Sequence, residues 1–442
     1  MFSEDNIAIQ LAFERVQHCS TYTKASNNCQ NIVTDSGASN EMYRLLPSLF
    51  CIDKQDYIEL SRALKSIYTA QNKIIRAVLE RDGEKRFLER LGVSVEYHKY
   101  VKWDNLYHPK TSIARADVVP TTENYKVVEL NIHPGVGGFI CSEAYSSLSG
   151  TLGLRLPQKC FSAFDILAEH LKTRSEGYKR LVFVDLESHQ SKGYPKFESM
   201  RDAVQRVGFD IPVYACTDKT MNLEWLEGDS NTLFYRGFSI DEIADDNEEF
   251  FWRILSQGAN LINGLEDEIR TNKLWLAYLH DTEFQKLLTK GEVQAINEYI
   301  PKTKLFVRED IPVYLKDKSK LIFKKVDGFA GQSIYIGGEI AETDLEDVLC
   351  NLKTGSFIVQ NFHEPVEFDS LIESGRSVEP AKFVLGLFSV NDSFGGMTIR
   401  ASNTSKIVNI SSGVAKIGWC CSTTEVERKG IITALEGLTN VK

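Results

Sequence analysis

The spacing of apolar and polar positions predicts a long helix near the start of the chain. Apolar residues repeat at helical spacing over 57–81, and Asp56 is the expected N-cap. Asp82-Gly83 is expected to end this helix, and a charged helical segment follows at 84–91. Before it, residues 26–40 are polar and rich in turn formers, so we expect a loop there.

Two runs of β-forming residues, 112–119 and 126–132, predict an antiparallel strand pair. Because alternate residues of a strand share a face, Arg115 lies beside Asp117, and Glu129 lies beside Asn131. If the two faces coincide, three oxygen-bearing side chains and a guanidinium converge across adjacent strands. Carboxylate and amide oxygens suit Mg²⁺, which phosphate oxygens and water usually complete. The same polar face could instead simply be exposed to solvent.

From about residue 178 the pattern alternates between strand and helix. Strands are expected at 181–186, 211–216, 233–236 and 260–263, with a helix over 197–207 and an acidic helical stretch over 241–256. This order predicts a small parallel sheet with helices on its faces. A further helix is expected over 268–279, and it carries Lys273.

Strands at 321–323 and 334–336 enclose Lys324, Lys325 and a loop of sequence DGFAGQS. Glycines let backbone N–H groups turn toward an anion, and a lysine at the end of a strand adds positive charge. The stretch therefore predicts a triphosphate site. The alternative is an ordinary hairpin with a glycine turn and two solvated lysines.

The C-terminal part adds further strands with polar ends. A strand at 356–360 leads into Asn361 and Phe362, a polar-aromatic hinge that can present backbone groups to an adenine edge. Strands at 383–390 and 394–400 bring in Arg400, and 408–414 supplies Asn409 and two serines. These residues fit an anion or nucleotide site, and they fit an ordinary polar loop equally well.

Composition narrows the class of protein. The 442 residues suggest roughly two to three domains, and 43% apolar and 25% charged residues are ordinary for a globular chain. A net charge of −10 argues against a nucleic acid or an anionic membrane as partner. The acidic start does not resemble a signal peptide, and no apolar run could span a bilayer. Nine scattered cysteines without CxxC fit a reducing compartment, so we expect a cytoplasmic protein.

Several common catalytic signatures are missing from the sequence. There is no GxSxG, HExxH, P-loop or kinase motif, and the eight histidines lack the spacing of metal ligands. The chain therefore does not have the sequence pattern of a serine hydrolase, a zinc protease, a P-loop NTPase or a protein kinase.

Together the motifs resemble the circularly permuted branch of the ATP-grasp superfamily, which includes glutathionylspermidine synthase-type ligases and pheganomycin-type peptide ligases. The RxD…ExN set, the LIN…NK helix, the KxxDGxxG loop, the VQ hinge and GG…R followed by NxSSG occur in that family's order, over about 60–440. Asp117 and Glu129 precede Lys324, which is the permuted order. Two departures lie at the loop, where Lys325 replaces a common proline and Gln332-Ser333 replace a basic residue plus glycine.

The resemblance implies a role for each matching residue. Arg115 and Arg400 would be catalytic, with Arg115 steadying the acyl phosphate or tetrahedral intermediate. Arg400 and Asn409 would sit by the phosphate or metal. Magnesium would be held by Asp117, Glu129 and Asn131. ATP would be bound by Lys273, Lys324, Asp327, Gly328, Gly331, Gln332, Ser333, Gln360, Asn361 and Phe362.

The resemblance also implies an α/β (α+β) chain with a circularly permuted ATP-grasp fold. The expected parts are a mainly helical region (1–110), a metal-binding strand pair with helices (111–175), a βαβ pre-ATP-grasp-like domain (176–265) and a lysine and glycine-loop subdomain with the remaining core strands (266–442).

The implied function is an ATP-dependent carboxylate–amine ligase that forms an amide through an acyl phosphate and releases ADP and phosphate. Its expected partners are small-molecule or short-peptide carboxylates and amines, with no nucleic acid and no membrane, and a homodimer is allowed. The alternatives are a ligase that modifies a protein side chain or terminus, and a catalytically silent nucleotide-binding module. A Rossmann-type oxidoreductase or a glycosyltransferase comes last.

Overall fold

The computed structural model describes residues 4–107, 113–132, 135–227, 231–244, 246–262, 264–328, 333–391, 393–408, 410 and 413–439. The expectations for Gly331, Gln332, Asn409 and the serines at 411 and 412 lie outside these residues. Within them the chain is mixed α/β and has three sheets of seven, four and four strands. None of the described helices is both long enough and apolar enough to cross a membrane.

The helices and strands follow one another along the whole chain. The helices are α1 (Glu4–Val16), α2 (Ser20–Asp35), α3 (Lys54–Leu91), α4 (Trp103–Tyr107), α5 (Phe139–Thr151), α6 (Ala163–Arg174), α7 (Glu187–Ser191), α8 (Phe197–Arg206), α9 (Glu248–Leu255), α10 (Leu265–Thr271), α11 (Leu274–Leu279), α12 (Thr282–Gln285), α13 (Lys290–Tyr299), α14 (Ile311–Lys316), α15 (Glu342–Asn351) and α16 (Glu425–Thr439). The strands are β1 (Phe50–Asp53), β2 (Ile113–Pro120), β3 (Tyr125–Asn131), β4 (Arg180–Asp185), β5 (Val213–Thr217), β6 (Thr232–Arg236), β7 (Leu261–Ile262), β8 (Thr303–Leu305), β9 (Leu321–Lys325), β10 (Ile334–Ile336), β11 (Phe357–Asn361), β12 (Glu367–Ser370), β13 (Glu379–Val390), β14 (Ser393–Ser402) and β15 (Lys416–Thr423).

The seven-stranded sheet has the order β1-β15-β14-β13-β2-β3, with β12 added beside β13. The predicted antiparallel pair is β2–β3, in which Arg115 lies opposite Asn131 and Asp117 opposite Glu129. Even-numbered residues of β2 such as Ala116 face the core that contains α3, whereas Ile113 belongs to the core on the other face. The four polar side chains therefore share one face of the sheet, as the alternation predicts.

Two expectations for the N-terminal part are wrong. The segment expected to be a loop is helical as far as Asp35, because Tyr22, Ala25, Cys29 and Val33 form a buried stripe in α2. Asp53 rather than Asp56 caps α3, since the Asp53 side chain accepts a hydrogen bond from Gln55 N.

The expected end of the long helix at Asp82-Gly83 is a kink. Gly83 has φ 72° and ψ 159°, and a second helical segment continues from it to Leu91. A residue with positive φ interrupts the helix at little cost only when it is glycine. The two predicted segments are therefore present, but they are joined end to end.

The parallel sheet has the order β5-β4-β6-β7 and agrees with the strands expected from the sequence. Asn263, at the end of the fourth expected strand, is outside the described residues. The helix expected over 241–256 is shorter, because α9 begins only at Glu248. A single 3₁₀ turn at Ile240–Glu242 precedes it, and this turn carries a capping box between Ser239 and Glu242.

The antiparallel four-stranded sheet has the order β10-β9-β11-β8, and β9–β10 is the predicted hairpin. The helix expected over 268–279 is present as two helices, because it is broken between α10 and α11. Asn272 has ψ 127°, and its side chain accepts a hydrogen bond from Leu274 N at 2.9 Å. The Lys273 amide donates to Val326 O at 2.8 Å. The break therefore ties Lys273 to Val326, the residue that follows β9.

Candidate functional site

Asp117 is the centre of the polar face of β2. It is only 6% exposed, and Arg115 Nε donates to its Oδ1 at 3.0 Å while Arg400 Nη2 lies 2.7 Å from its Oδ2. Burial alone would raise the pKa of Asp117, but the guanidinium groups of Arg115 and Arg400 hold it below the usual value. The alternative of a solvent-exposed polar face is therefore wrong for this residue.

Gly386 makes the approach of the two arginines possible. It lies on β13 directly opposite Asp117 and Thr398, between the strands that carry Arg115 and Arg400. A Cβ atom at this position would lie 2.7 Å from Arg115 Cδ. The missing side chain leaves room for the Arg115 side chain over the face of the sheet.

Lys324, from β9 of the antiparallel sheet, and Lys273, from the break between α10 and α11, both reach β3. Lys273 Nζ lies 2.8 Å from Glu129 Oε1 and donates to Gly328 O at 2.5 Å. Lys324 Nζ donates to Gln360 Oε1 at 2.8 Å and to Val128 O at 3.2 Å. The structure thus brings both lysines to the strand that carries Glu129 and Asn131.

The two lysines of the hairpin have different environments. Lys324 is 6% exposed, and burial lowers its pKa to about 8. Lys325 is exposed and pairs with Asp327 at 3.1 Å. The alternative of two solvated lysines therefore holds for Lys325 and is wrong for Lys324.

The three hinge residues expected near adenine differ in exposure. Gln360 is 1% exposed, and it bonds Lys324 through Oε1 and Thr303 through Nε2. Asn361 is exposed and Phe362 is half-buried. Gln360 thus holds Lys324 in place, and contact of the three residues with adenine stays a prediction.

The donor set of Asp117, Glu129 and Asn131 fits a magnesium ion in its chemistry. It offers the carboxylates of Asp117 and Glu129 at directly opposed positions of neighbouring strands, and the amide oxygen of Asn131 two residues further along β3. Among the described residues, no group of three His, Cys, Asp or Glu side chains is placed to hold a metal ion. A magnesium site here therefore depends on the Asn131 amide and on oxygens from a ligand.

A cavity of about 760 Å³ adjoins these residues. Its lining includes residues of the strands and of the glycine loop described above, namely Arg115, Asn131, Gly328, Ser333 and Arg400. Residues from the parallel sheet and the segments after its strands line the other side, among them Asp185, His189, Tyr194, Ser239, Asp241 and Glu242. A pocket of this volume is in the usual range for small-molecule sites.

Asp185, His189 and Glu242 were not predicted as site residues from the sequence. His189 Nδ1 lies 2.6 Å from Asp185 Oδ1, and His189 Nε2 lies 2.5 Å from Glu242 Oε1. One signal was available, because Asp185 ends a strand of a parallel sheet, where ligands commonly bind. No local sequence pattern indicates a site role for Glu242, because it meets His189 only in the folded chain.

The charges of this cluster follow from its hydrogen bonds. Burial lowers the pKa of His189, but its bonds to Asp185 and Glu242 raise it to about 10. Burial raises the pKa of Glu242, and the bond to His189 lowers it to about 2. Burial raises the pKa of Asp185. His189 is therefore a cation between two acidic groups, and it is not available as a base at neutral pH.

Comparisons with known proteins give a likeness in structure only. No protein-family model matches the sequence, and no curated protein matches it. The chain is similar in structure to a glutathione synthetase-like effector from Globodera pallida in its apo form, with 12% identity over 90% of this chain and 96% of that chain and a TM-score of 0.56.

Two other solved structures align more weakly. A putative gamma-glutamylcysteine synthetase from Methylobacillus flagellatus KT has 12% identity over 84% of this chain and 94% of that chain, with a TM-score of 0.42. The D-cycloserine synthetase DcsG has 15% identity over 59% of this chain and 99% of that chain, with a TM-score of 0.27. At these TM-scores the two likenesses carry no argument.

The likeness to the effector shows the fold. The chain shares the fold of this effector, and its mixed α/β class with several sheets is as expected. The circular permutation and the four domain boundaries stay predictions.

Proposed function

We propose that the protein is an ATP-dependent carboxylate–amine ligase that forms an amide bond and releases ADP and phosphate. The observation that supports this most is the convergence of two lysines, two arginines and two carboxylates around β2 and β3, where Arg115 and Arg400 line a cavity. A surface with this mixture of charges is suited to a polyanion held beside a reacting carboxylate.

The lysines are suited to a triphosphate. Lys324 projects from β9 and Lys273 from the helix break, and both side chains meet at β3. Lys273 also bonds the carbonyl of Gly328 in the glycine loop, so its position and that of the loop are coupled. In this proposal Lys273 and Lys324 bind ATP phosphates, the loop from Asp327 to Ser333 covers them, and Gln360, Asn361 and Phe362 lie near adenine.

The reaction proceeds in two steps. An oxygen of the substrate carboxylate attacks the γ-phosphorus in line, and the bond to the β–γ bridging oxygen breaks, which releases ADP and leaves an acyl phosphate. The nitrogen of a neutral amine then attacks the acyl carbon, the bond to the phosphate oxygen breaks, and the amine proton passes to solvent. Arg115 and Arg400 line the cavity and stabilise negative charge that develops on the carboxyl oxygens.

Magnesium would be held by Asp117, Glu129 and Asn131 and would neutralise phosphate charge. The chain itself contributes positioning, because Arg115 and Arg400 hold Asp117 from two sides. The proposal requires no serine or cysteine nucleophile. The order of the strands along the chain agrees with a circularly permuted arrangement, since β2–β3 precede the hairpin that carries Lys324. We place the protein in the cytoplasm in this proposal.

A direct test is incubation with Mg-ATP and pooled amino acids and short peptides, read by mass spectrometry. We expect ADP, together with a product lighter by one water than its two parents. AMP would overturn the mechanism, because it indicates adenylate chemistry. Tight ATP binding without turnover by the pool, or by added peptide and protein acceptors, would favour a silent nucleotide-binding module.

A further inference from the structure

The peptide group between Gly137 and Gly138, just before α5, is held at both of its ends. Arg115 Nη1 donates a hydrogen bond to Gly137 O at 3.0 Å. The hydroxyl of Tyr43 accepts a hydrogen bond from the Gly138 N–H, and a Cβ atom on Gly137 would lie only 3.2 Å from this hydroxyl. One peptide group therefore connects Tyr43, from the N-terminal part of the chain, to Arg115 on β2.

This turn depends on bonds from outside, because its own residues restrain it little. Two successive glycines have more backbone freedom than any other pair of residues. Gly138 is the N-cap of α5 with φ 106°, and it has no side chain that could cap the helix. Since Gly138 is buried, its N–H would be left without a partner if the Tyr43 hydroxyl were absent, and such a group is costly.

Tyr43 is itself fixed from both sides along the chain. It is 5% exposed, and its amide donates to Ser39 O at 2.8 Å. Ser39 N in turn donates to Gly193 O at 2.9 Å, which ties this segment to the turn after α7. On the other side, Ile417 N of β15 donates to Arg44 O at 2.9 Å. The tyrosine is therefore a rigid support for the turn.

We propose that Tyr43 is a positioning residue, which holds Arg115 in its reacting orientation through the peptide group between Gly137 and Gly138. Arg115 has two anchors on its guanidinium group, Asp117 Oδ1 at Nε and Gly137 O at Nη1, each at 3.0 Å. With both anchors in place the planar fork has a single orientation. The inference rests on the proposed function in one respect, that Arg115 stabilises charge on the reacting carboxyl group.

The chemistry of the Tyr43 hydroxyl suits this role. Burial raises the pKa of Tyr43, so the group stays neutral at neutral and moderately alkaline pH. A neutral hydroxyl oxygen can accept the bond from Gly138 without competing with Asp117 for the charge of Arg115. Tyr43→Phe removes this oxygen and keeps the ring, so it separates the hydrogen bond from the packing of the side chain.

The first test observes Arg115 directly and needs no substrate. NMR of the full chain with isotope-labelled arginine measures rotation of the guanidinium group, and the signal of Arg115 is assigned by its loss in Arg115→Lys. We expect this rotation to be about tenfold faster in Tyr43→Phe than in the wild type, as for loss of one hydrogen bond. Equal rotation in the two proteins would overturn the proposal.

Tyr22→Phe is the matched control for this measurement. Tyr22 is 3% exposed, and its hydroxyl donates to Pro47 O at 2.8 Å instead of supporting the turn before α5. Removing it should leave the rotation of Arg115 unchanged. Ser39→Ala is a second variant should Tyr43→Phe not fold. It removes the bond that Met42 N donates to Ser39 Oγ at 3.2 Å, and it should speed the rotation in the same direction.

The second test measures turnover with hydroxylamine as the amine, a pool of carboxylic acids and Mg-ATP, read as coloured hydroxamate. Tyr43→Phe should lower kcat about tenfold, because Arg115 is no longer held in place. The KM for ATP should stay unchanged, since Lys273 and Lys324 are untouched, and Tyr22→Phe should alter neither constant. An unchanged kcat in Tyr43→Phe, or a change confined to the KM for ATP, would overturn the proposal.

Failure of this inference and failure of the ligase can be told apart. Faster rotation of Arg115 in Tyr43→Phe, with neither hydroxamate nor ADP formed by the wild type, would remove the proposed function and leave the hold on Arg115 standing. Hydroxamate formation by the wild type, with equal rotation of Arg115 in both proteins, would do the reverse.

Discussion

Lys273 Nζ lies 2.8 Å from Glu129 Oε1. This ion pair joins the break between α10 and α11 to β3 of the seven-stranded sheet. Lys273 is 5% exposed, and it reaches Glu129 because the helix is broken just before it. In the proposed enzyme a triphosphate would compete with Glu129 for this lysine, so the pair holds the positive charge in place until ATP arrives.

Glu129→Gln should lower turnover by at least about 100-fold, because it removes one candidate metal ligand and the partner of Lys273. Its effect on the free energy of unfolding should stay below about 1 kcal/mol, since Glu129 is only half-buried. Steady-state ADP release and urea unfolding measure the two effects, with Glu346→Gln, on the exposed side of α15, as control. Retained activity in Glu129→Gln would remove Glu129 from the site.

ATP affinity should depend on pH through Lys324. Because burial lowers the pKa of Lys324 to about 8, its positive charge is present below pH 8 and is lost as the pH rises through that value. Binding of a non-hydrolysable ATP analogue, measured by calorimetry, should weaken by about tenfold between about pH 7 and 9. Lys324→Arg should flatten this dependence, since a guanidinium stays charged throughout. Lys325→Arg should leave it unchanged, and an equal decline in both variants would exclude Lys324 as the cause.

Gly386→Ala should disturb the arginine pair. The added methyl group would lie 2.4 Å from Thr398 Oγ1 and 2.7 Å from Arg115 Cδ, so both side chains must shift, and Arg115 moves relative to Asp117. We expect a loss of about 1–3 kcal/mol in the free energy of unfolding and a fall in turnover of about tenfold or more. Gly150→Ala is the control, because an added Cβ there meets nothing within 4 Å and lies in α5. If Gly386→Ala has full activity, the placement of Arg115 does not matter for the reaction.

His189 should make stability depend on alkaline pH. Its pKa is raised from 6.5 to about 10 in the folded chain, so its stabilising contribution is complete below pH 6.5 and is lost as the pH rises toward 10. Buried tyrosines also titrate at high pH, so the comparison must be made with His189→Gln. Between about pH 6.5 and 9.5 the wild type should lose about 2–4 kcal/mol more than His189→Gln in urea unfolding. Parallel curves for the two proteins would contradict the ion cluster.

The alternation of residues in β2 and β3 was enough to predict a shared polar face. Side chains along a strand alternate between its two faces. Once the two strands pair, the sequence therefore determines that four side chains lie on the same face of the sheet, those of Arg115, Asp117, Glu129 and Asn131. The parallel sheet was predictable for a similar reason, because its strands are apolar runs bounded by turns. The roles of these residues stay predictions.

The break at Asn272-Lys273 was not predictable from local pattern. The residues on both sides are apolar at helical spacing, and Asn272 and Val326 fix the break through hydrogen bonds that exist only in the folded chain. The helix at Ser20–Asp35 was missed because its polar residues hide a narrow buried stripe. The acidic residues of the cavity were missed because Asp185 and Glu242 meet only through His189.

The strand order of the large sheet has a consequence for synthesis on the ribosome. β2 pairs with β13, and β1 lies parallel to β15, so both early strands take partners that are translated more than 250 residues later. The pair that carries Asp117 and Glu129 therefore emerges with an open strand edge and stays so until β13 follows. The nascent chain depends on protection of this edge, and release before β15 has emerged leaves β1 unpaired and open to aggregation.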